Sequence, residues 1–139
     1  MTLLQAPKAV RPAWFTPAAV GGALAAATLL VAAVDPNQPG HYPPCPFLTL
    51  TGYYCPGCGG LRTVHDLTHG EFGRAFSSNP LITLLIPVAV VAWFWWLQVT
   101  RGAMRRRTIP YVPILSVLLV VTLTFGVLRN LPAFAWMAP

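Results

Sequence analysis

Residues 80–100 read PLITLLIPVAVVAWFWWLQVT, a stretch that contains no charged side chain. A helix needs about 20 apolar residues to cross the hydrocarbon core of a bilayer. Asn79 before Pro80 is typical of a helix start, because proline is tolerated where its missing N–H has no partner. The aromatic residues at 93–96 match the belt that such helices place near the lipid headgroups. This stretch therefore predicts a transmembrane helix.

Two further stretches, residues 13–34 and 110–128, are uncharged and long enough to cross a bilayer, and Arg129 ends the second of them. Charged residues make up 9% of the chain, whereas an average soluble domain has about 25%. This composition disfavours a soluble enzyme, a disordered tail and a nucleic-acid module. We therefore predict an all-α integral membrane protein with three transmembrane helices, forming a single membrane domain over residues 1–139.

Basic residues predict the orientation of these helices. The loop of residues 101–109 carries four arginines and no acid. Lysine and arginine in short loops concentrate on the cytoplasmic side, where they also contact anionic lipids. Lys8 and Arg11 precede the first span and fall on the same side. We therefore expect a cytoplasmic N-terminus, with residues 35–79 and the C-terminus outside the cytoplasm.

Residues 13–34 are also open to a second interpretation, a cleaved signal peptide. Lys8 and Arg11 would form its basic region, and Val31-Ala32-Ala33 a cleavage site of small residues. The apolar region of a signal peptide usually has about 7–15 residues, and this apolar run is longer. We therefore expect a retained helix.

The expected external segment, residues 35–79, divides into a turn-rich part and an amphipathic part. The density of proline and glycine in residues 45–60 predicts turns rather than helix or strand. In residues 61–78 the apolar positions fall on one side of a helical wheel. Gly70 and Gly73 interrupt this pattern and favour a split into two helices. We expect the amphipathic part to lie in the membrane interface.

All three cysteines, Cys45, Cys55 and Cys58, lie in this external segment. Cys55 and Cys58 have the two-residue spacer of half a zinc site, since a tight turn lets both thiolates face one ion. Cys45 and one histidine would complete a tetrahedral set. We take Cys45, Cys55, Cys58 and His65 as the candidate metal ligands, with zinc as the candidate ion. The histidines of the segment are His41, His65 and His69.

A disulfide and a redox-active pair remain as alternatives to the metal. Thiols outside the cytoplasm tend to oxidise. A bridge from Cys45 to Cys55 or Cys58 would close a loop worth about 3 kcal/mol, and it would leave one cysteine over. A Cys-x-x-Cys pair at a helix start can also have a lowered thiol pKa. Such redox pairs usually sit in a βαβ unit, and the sequence shows no strand pattern.

The sequence contains no recognisable catalytic constellation. It has no Ser-His-Asp order, no glycine loop for phosphate and no dinucleotide fingerprint. Asp66 and Glu71 are too few for paired carboxylates, and Arg62 lies one turn before Asp66, a spacing typical of a helical ion pair. The three spans carry no ionisable residue, which disfavours a transporter or channel acting alone. We predict no catalytic residue.

Residues 45–96 contain several motifs that are specific when they are taken together. The motifs are Cys45-Pro46-Phe47, Thr51-Gly52, Cys55-Pro56-Gly57-Cys58-Gly59, Leu61-Arg62, Gly70 and Asn79-Pro80-Leu81. This pattern resembles the signature of DUF2752, a family of small bacterial membrane proteins of unknown function. The resemblance implies a protein of the bacterial inner membrane, and it implies no activity.

Two classes of function remain open. The first is a non-catalytic accessory or assembly subunit, whose Cys/His loop is held by a disulfide or a metal. It predicts a membrane-protein partner or self-association, for which the small residues Gly21, Gly22, Ala25 and Ala26 permit close helix packing. The second is a metal- or thiol-dependent redox or metal-handling activity at the outer face. We favour the first class, because the sequence shows no catalytic pocket, and we expect no nucleic-acid partner.

Overall fold

A computed structural model describes residues 12–105 and 108–138, and the described residues contain helices and no strand. Lys8, Arg11, Arg106 and Arg107, on which the predicted orientation partly depends, lie outside the described residues. The elements are α1 (Phe15–Ala33), α2 (Pro46–Thr51), α3 (Gly60–Thr68), α4 (Phe72–Ser78), α5 (Pro80–Thr100), α6 (Tyr111–Leu128) and a 3₁₀ helix (Pro132–Met137).

Three of these helices, α1, α5 and α6, are long and apolar enough to cross a membrane. Each lies within one of the predicted spans and fills nearly all of it, so the predicted fold class is confirmed. Asn79 caps α5 as the sequence predicts. Its side-chain oxygen accepts a hydrogen bond from the N–H of Ile82 at 3.0 Å, and Pro80 occupies the first helical position.

Residues 35–79 and 129–138 meet at one end of the three long helices and form a unit that we call the cap. The cap binds the last turn of α1 through His65, and it includes Asn79 and Arg129, which directly precede α5 and follow α6. The predicted amphipathic segment is split in two, because α3 ends at Thr68 and α4 begins at Phe72. Gly70 lies at the break as predicted, whereas Gly73 lies inside α4. These two helices pack together, and Thr63 donates a hydrogen bond to the carbonyl of Ala75 at 3.3 Å in their buried interface.

The ion pair expected from the spacing of Arg62 and Asp66 does not form. Asp66 is buried against α4, where the hydroxyl of Ser78 donates to its carboxylate at 3.2 Å. Arg62 lies on another face of α3, beside a cavity. The expectation was wrong because α4 packs over Asp66 and so withdraws it from the surface.

The sequence also predicts turns where the structure has the short helix α2. Pro46 stands at its first position, where its fixed φ suits a helix. Gly52 ends it with a φ of 74°, a left-handed conformation that favours glycine. Within the helix, the hydroxyl of Thr51 donates to the carbonyl of Phe47 at 2.7 Å. The prediction of turns was wrong here because the proline and the glycine mark the two ends of a helix rather than interrupt it.

Helices α1 and α5 pack together at a glycine. A Cβ atom added to Gly21 would overlap Cζ2 of Trp93, so a residue larger than glycine would displace the indole. The indole N–H of Trp93 donates to the carbonyl of Pro17 at 2.9 Å, which satisfies it within an apolar layer. By contrast, a Cβ added to Gly22 would meet no atom within 4 Å. The small residues of α1 are therefore used for packing inside the chain at Gly21.

Helix α6 is attached to the rest of the chain mainly at its cap end. No residue of α6 is buried. A Cβ atom added to Gly126 would lie 2.9 Å from Cγ of Pro56, so the loop that carries Cys55 and Cys58 rests directly on this helix. The 3₁₀ helix that follows α6 returns to contact α4. The cap therefore joins all three long helices.

Candidate metal site

The three cysteines meet at one point in the cap. The sulfur of Cys45 lies 3.6 Å from the sulfur of Cys55, which lies 3.2 Å from the sulfur of Cys58. All three sulfur atoms are within 4.8 Å of one another. All three are free thiols, and Cys58 is buried while the other two are partly exposed. Sulfur atoms at these distances can share one metal ion.

Two helix starts hold the thiols in position. Cys45 is the residue that precedes α2, so its thiol lies beside the first N–H groups of that helix. Cys55 and Cys58 close a tight turn, in which the N–H of Cys58 donates to the carbonyl of Cys55 at 3.1 Å. Gly59 then enters α3 with a φ of 81°, which favours glycine. The sequence Cys-Pro-Gly-Cys-Gly is therefore a turn followed directly by a helix.

A buried arginine lies beneath this turn. Arg129 directly follows α6 and is 1% exposed. Its Nη1 donates to the carbonyl of Cys55 at 2.9 Å and to that of Cys58 at 3.1 Å, and its Nη2 donates to the carbonyl of Met137 at 2.9 Å. A buried charge is costly unless it is hydrogen-bonded, and the loop carbonyls provide these bonds. The turn is thereby bound to the end of α6.

Two asparagines hold the same loop from the ends of two long helices. The side-chain amide of Asn79, at the start of α5, donates to the carbonyls of Pro56 and Cys58, both at 2.9 Å. Asn130, after α6, accepts from the N–H of Tyr54 at 2.8 Å and donates to its carbonyl at 2.9 Å. Asn79 is fully buried. The backbone of the thiol loop is therefore satisfied by side chains rather than by regular secondary structure.

The environment makes the thiols unequal in acidity. A hydrogen bond from the N–H of Leu48, followed by one from the Cys58 thiol, lowers the pKa of Cys45. Burial, followed by hydrogen bonds with the thiols of Cys55 and Cys45, raises the pKa of Cys58 to about 12. Burial lowers the pKa of Arg129, and the charges of Cys58 and Cys55 oppose that shift. The positive charge of Arg129 favours the deprotonated form of the neighbouring Cys55 and Cys58. Metal binding requires this form, because the thiolate is the ligand.

The thiols open into a cavity of about 630 Å³. All three cysteines line it, and Arg62 of α3 forms part of its wall. None of the described residues that line this cavity is acidic. A metal ion held by the three thiols would therefore be reached from this side.

The histidines lie outside this group. His65 donates from Nδ1 to the carbonyl of Val31 in α1 at 2.9 Å, and its Nε2 lies 3.7 Å from a carboxylate oxygen of Asp35. The ring of His69 stacks on that of His65, with centroids 4.3 Å apart. His41 donates to the carbonyl of Asp35 at 2.8 Å. Over the described ranges, the structure thus brings together three of the four predicted ligands and places His65 against α1.

Residues 45–93, which contain all three thiols, match the model of the family described as a protein of unknown function, DUF2752. This segment belongs to the DUF2752 family. The resemblance predicted from the motifs is confirmed. No curated protein and no solved structure matches the chain significantly.

Two residues that hold the loop of the DUF2752 segment come from beyond it. Arg129 and Asn130 follow α6, whereas the match ends at residue 93. From sequence alone, Arg129 marks only the end of the third span, because a charge after an apolar run usually ends a helix. One feature of the sequence pointed to a special role for Arg129. It lies at a helix end that is expected to be external, whereas basic residues usually concentrate on the cytoplasmic side.

Proposed function

We propose that this protein is a non-catalytic protein of the bacterial inner membrane whose cap binds one thiophilic metal ion through Cys45, Cys55 and Cys58. Zinc is the first ion to test. The observation that carries the proposal is the convergence of three free thiols to within 4.8 Å, although they come from two separate parts of the cap. Soft thiolate ligands select ions such as Zn²⁺ and Cu⁺.

The spacing of the sulfur atoms supports a single shared ion. A zinc–sulfur bond is about 2.3 Å long, so neighbouring sulfur atoms of a tetrahedral site are about 3.8 Å apart. The two sulfur–sulfur distances of 3.6 Å and 3.2 Å are slightly shorter than this value. All three distances are within 4.8 Å, so binding requires only small adjustments of the thiols.

The charges around the thiols also support a metal ion. Three thiolates and one divalent ion carry a net charge of about −1, which is costly to bury alone. Arg129 lies directly beneath Cys55 and Cys58 and compensates this charge. The group of candidate ligands among the described residues contains thiols and no histidine or carboxylate. This composition favours binding of an ion over acid–base catalysis.

We place the cap outside the cytoplasm. The loop that joins α5 and α6 lies at the opposite end of these helices from the cap, because both helices meet the cap at their other ends. That loop contains Arg101 and Arg105. Basic loops stay on the cytoplasmic side, so the thiol site would face the extracytoplasmic space.

Metal analysis of the protein purified in detergent tests the proposal. We expect about one zinc ion per chain and its loss in each of the variants Cys45→Ser, Cys55→Ser and Cys58→Ser. Because the ligands share one ion, the triple variant should be little less stable than any single variant, and a chelator should lower the stability of the wild type alone. His65→Ala is the control. It removes a histidine that lies outside the group of three thiols, so this variant should keep the ion. Serine variants that keep full metal content would refute the site.

A disulfide between Cys55 and Cys58 is the second candidate, because their sulfur atoms are only 3.2 Å apart. It would leave Cys45 as a free thiol beside the bridge. In that case a reductant, and not a chelator, should lower thermal stability. Mass spectrometry after alkylation without reduction should then find one modified cysteine rather than three.

We propose an accessory or assembly role for the protein as a whole. Helix α6 buries none of its residues, so its surface is available to lipid, to a second copy or to another membrane protein. Purification in a mild detergent tests this role. A stoichiometric partner or a stable homo-oligomer would support it, and a strictly monomeric, uncomplexed protein would contradict it.

A further inference from the structure

An ion held by the three thiols would have a fourth coordination position, open to a ligand from the cavity that the thiols line. Zinc in proteins takes four ligands in most sites, and a position left open by the protein binds water or another molecule. The described candidate ligands provide three sulfur atoms, and all three cysteines line the same cavity. The fourth ligand must therefore enter through this cavity.

The cavity has room for more than water. Its volume is about 630 Å³, and pockets that bind small molecules have volumes of about 300–1,000 Å³. Its walls combine aromatic and aliphatic side chains with the glycine-rich turn that leads into α3. The side chains include those of Tyr42, Leu48 and Tyr54. A small organic ligand can therefore reach the thiols.

Arg62 gives the wall of this cavity a positive charge. It is the one charged residue among the described residues that line the cavity. Neither an ion pair nor a hydrogen bond engages its guanidinium within the described part of the chain. The whole chain has three acidic residues, and each has another partner. Asp35 accepts from Asn37, Asp66 from Ser78, and Glu71 from Arg74.

We propose that the cavity binds a small molecule that carries both a thiolate and a carboxylate. This inference rests on the proposed metal site. The thiolate would complete the coordination of the ion. The carboxylate would pair with Arg62, because the planar guanidinium can donate two parallel hydrogen bonds to a carboxylate. Binding is a ligand exchange, in which the thiol gives its proton to solvent, water leaves the ion and no electron is transferred. Arg62 and Arg129 offset the added negative charge, and the molecule stays bound as the fourth ligand of the ion.

Cobalt-loaded full-length protein in detergent provides the test, because Co²⁺ adopts the same coordination as Zn²⁺ and its sulfur-to-metal absorption increases with each thiolate ligand. The probes are mercaptoacetate and its neutral amide, compared at equal thiolate concentration. We expect both probes to raise the absorption. Mercaptoacetate should reach saturation at a concentration about tenfold lower than its amide, because its carboxylate forms one charge-assisted pair with Arg62. Arg62→Gln should abolish this preference. Arg74→Gln, which removes an exposed arginine of the cap outside the cavity, should leave it unchanged.

The outcomes separate this inference from the metal site itself. If no cobalt binds to the thiols, the proposed function fails. If cobalt binds but neither probe raises the absorption, if both probes bind equally, or if Arg62→Gln keeps the preference, the inference is overturned and the metal site stands. Cobalt that leaves the protein on desalting after addition of mercaptoacetate also overturns it, because the probe would then have extracted the ion rather than joined it.

Discussion

Arg129 shows how one side chain can organise a loop that has no regular structure of its own. Its guanidinium reaches the carbonyls of Cys55 and Cys58 and also that of Met137. Its Cζ lies 5.0 Å from the centroid of the Phe125 ring, a distance that permits a favourable cation–π contact. A single planar group with five donors can do this, whereas a lysine ammonium cannot span the same acceptors.

Substitution of Arg129 should therefore destabilise the cap. Arg129→Gln would remove the hydrogen bonds that the charged guanidinium donates to the carbonyls of Cys55, Cys58 and Met137, each worth about 1.5–3 kcal/mol. We expect the free energy of unfolding to fall by about 3 kcal/mol or more, with only partial recovery in Arg129→Lys. Thermal unfolding in detergent measures this, and Arg74→Gln, at an exposed position, is the control. A variant as stable as the control would show that the turn is held by other contacts.

The thiols should differ in reactivity in the metal-free, reduced protein. The pKa of Cys45 is lowered by the N–H of Leu48 and then by the Cys58 thiol, whereas burial raises the pKa of Cys58 to about 12. Iodoacetamide reacts with thiolates, so Cys45 should be modified before Cys58. Modification of Cys58 should accelerate about tenfold for each pH unit up to about pH 11, and that of Cys45 should level off earlier. Mass spectrometry of timed samples measures both rates. We expect Cys45 and Cys58 to react at equal rates only in the unfolded protein. Equal rates in the folded protein would contradict the assigned environments.

At the scale of the helices, adjacent glycines of α1 have different roles. Gly21 contacts Trp93 of α5, and Gly22 faces open space within the described structure. Helical periodicity alone assigns both to small-residue pairs and cannot say which one meets a partner. The partner helix decides this, because only one of the two faces is covered by an indole.

The variants Gly21→Ala and Gly22→Ala form a matched pair that tests this packing. The added methyl group at Gly21 would overlap Trp93 and disturb its hydrogen bond to Pro17, at a cost of about 1–3 kcal/mol. The same change at Gly22 should be neutral or stabilise the helix by up to about 1 kcal/mol. Thermal stability in detergent measures the difference. A larger loss at Gly22 would indicate that α1 packs on a second copy or another protein through that face.

At the scale of the whole molecule, the cap gathers the thiol loop and one end of each long helix. His65 binds the last turn of α1, Asn79 begins α5, and Arg129 follows α6. The geometry of the thiols therefore depends on the positions of three helices that cross the apolar layer.

The proposed orientation predicts the behaviour of reporter fusions. A reporter that is active only outside the cytoplasm should be active at the C-terminus and silent at Gly102, because basic loops remain inside. A reporter that is fluorescent only inside should give the reverse pattern and serves as the control. Activity at Gly102 combined with silence at the C-terminus would invert the orientation and place the thiol site in the cytoplasm.

The sequence by itself determined the membrane class, the three long helices, the break in the amphipathic segment and the family resemblance. These features depend on local apolar runs and on proline and glycine at fixed positions, which act over one or two helical turns. The sequence also predicted that Asn79 starts α5, because a hydrogen bond from a side chain to the first turn of its own helix is a local contact.

Only the tertiary structure decided how the candidate site is built. The convergence of Cys45 with Cys55 and Cys58, the placement of His65 against α1 and the pairing of Asp66 with Ser78 join residues from different elements. The contact between Arg129 and Cys55 spans 74 positions in sequence. A buried guanidinium finds its partners where the folded chain brings carbonyls together in the interior, and those positions depend on how the helices meet rather than on any local pattern.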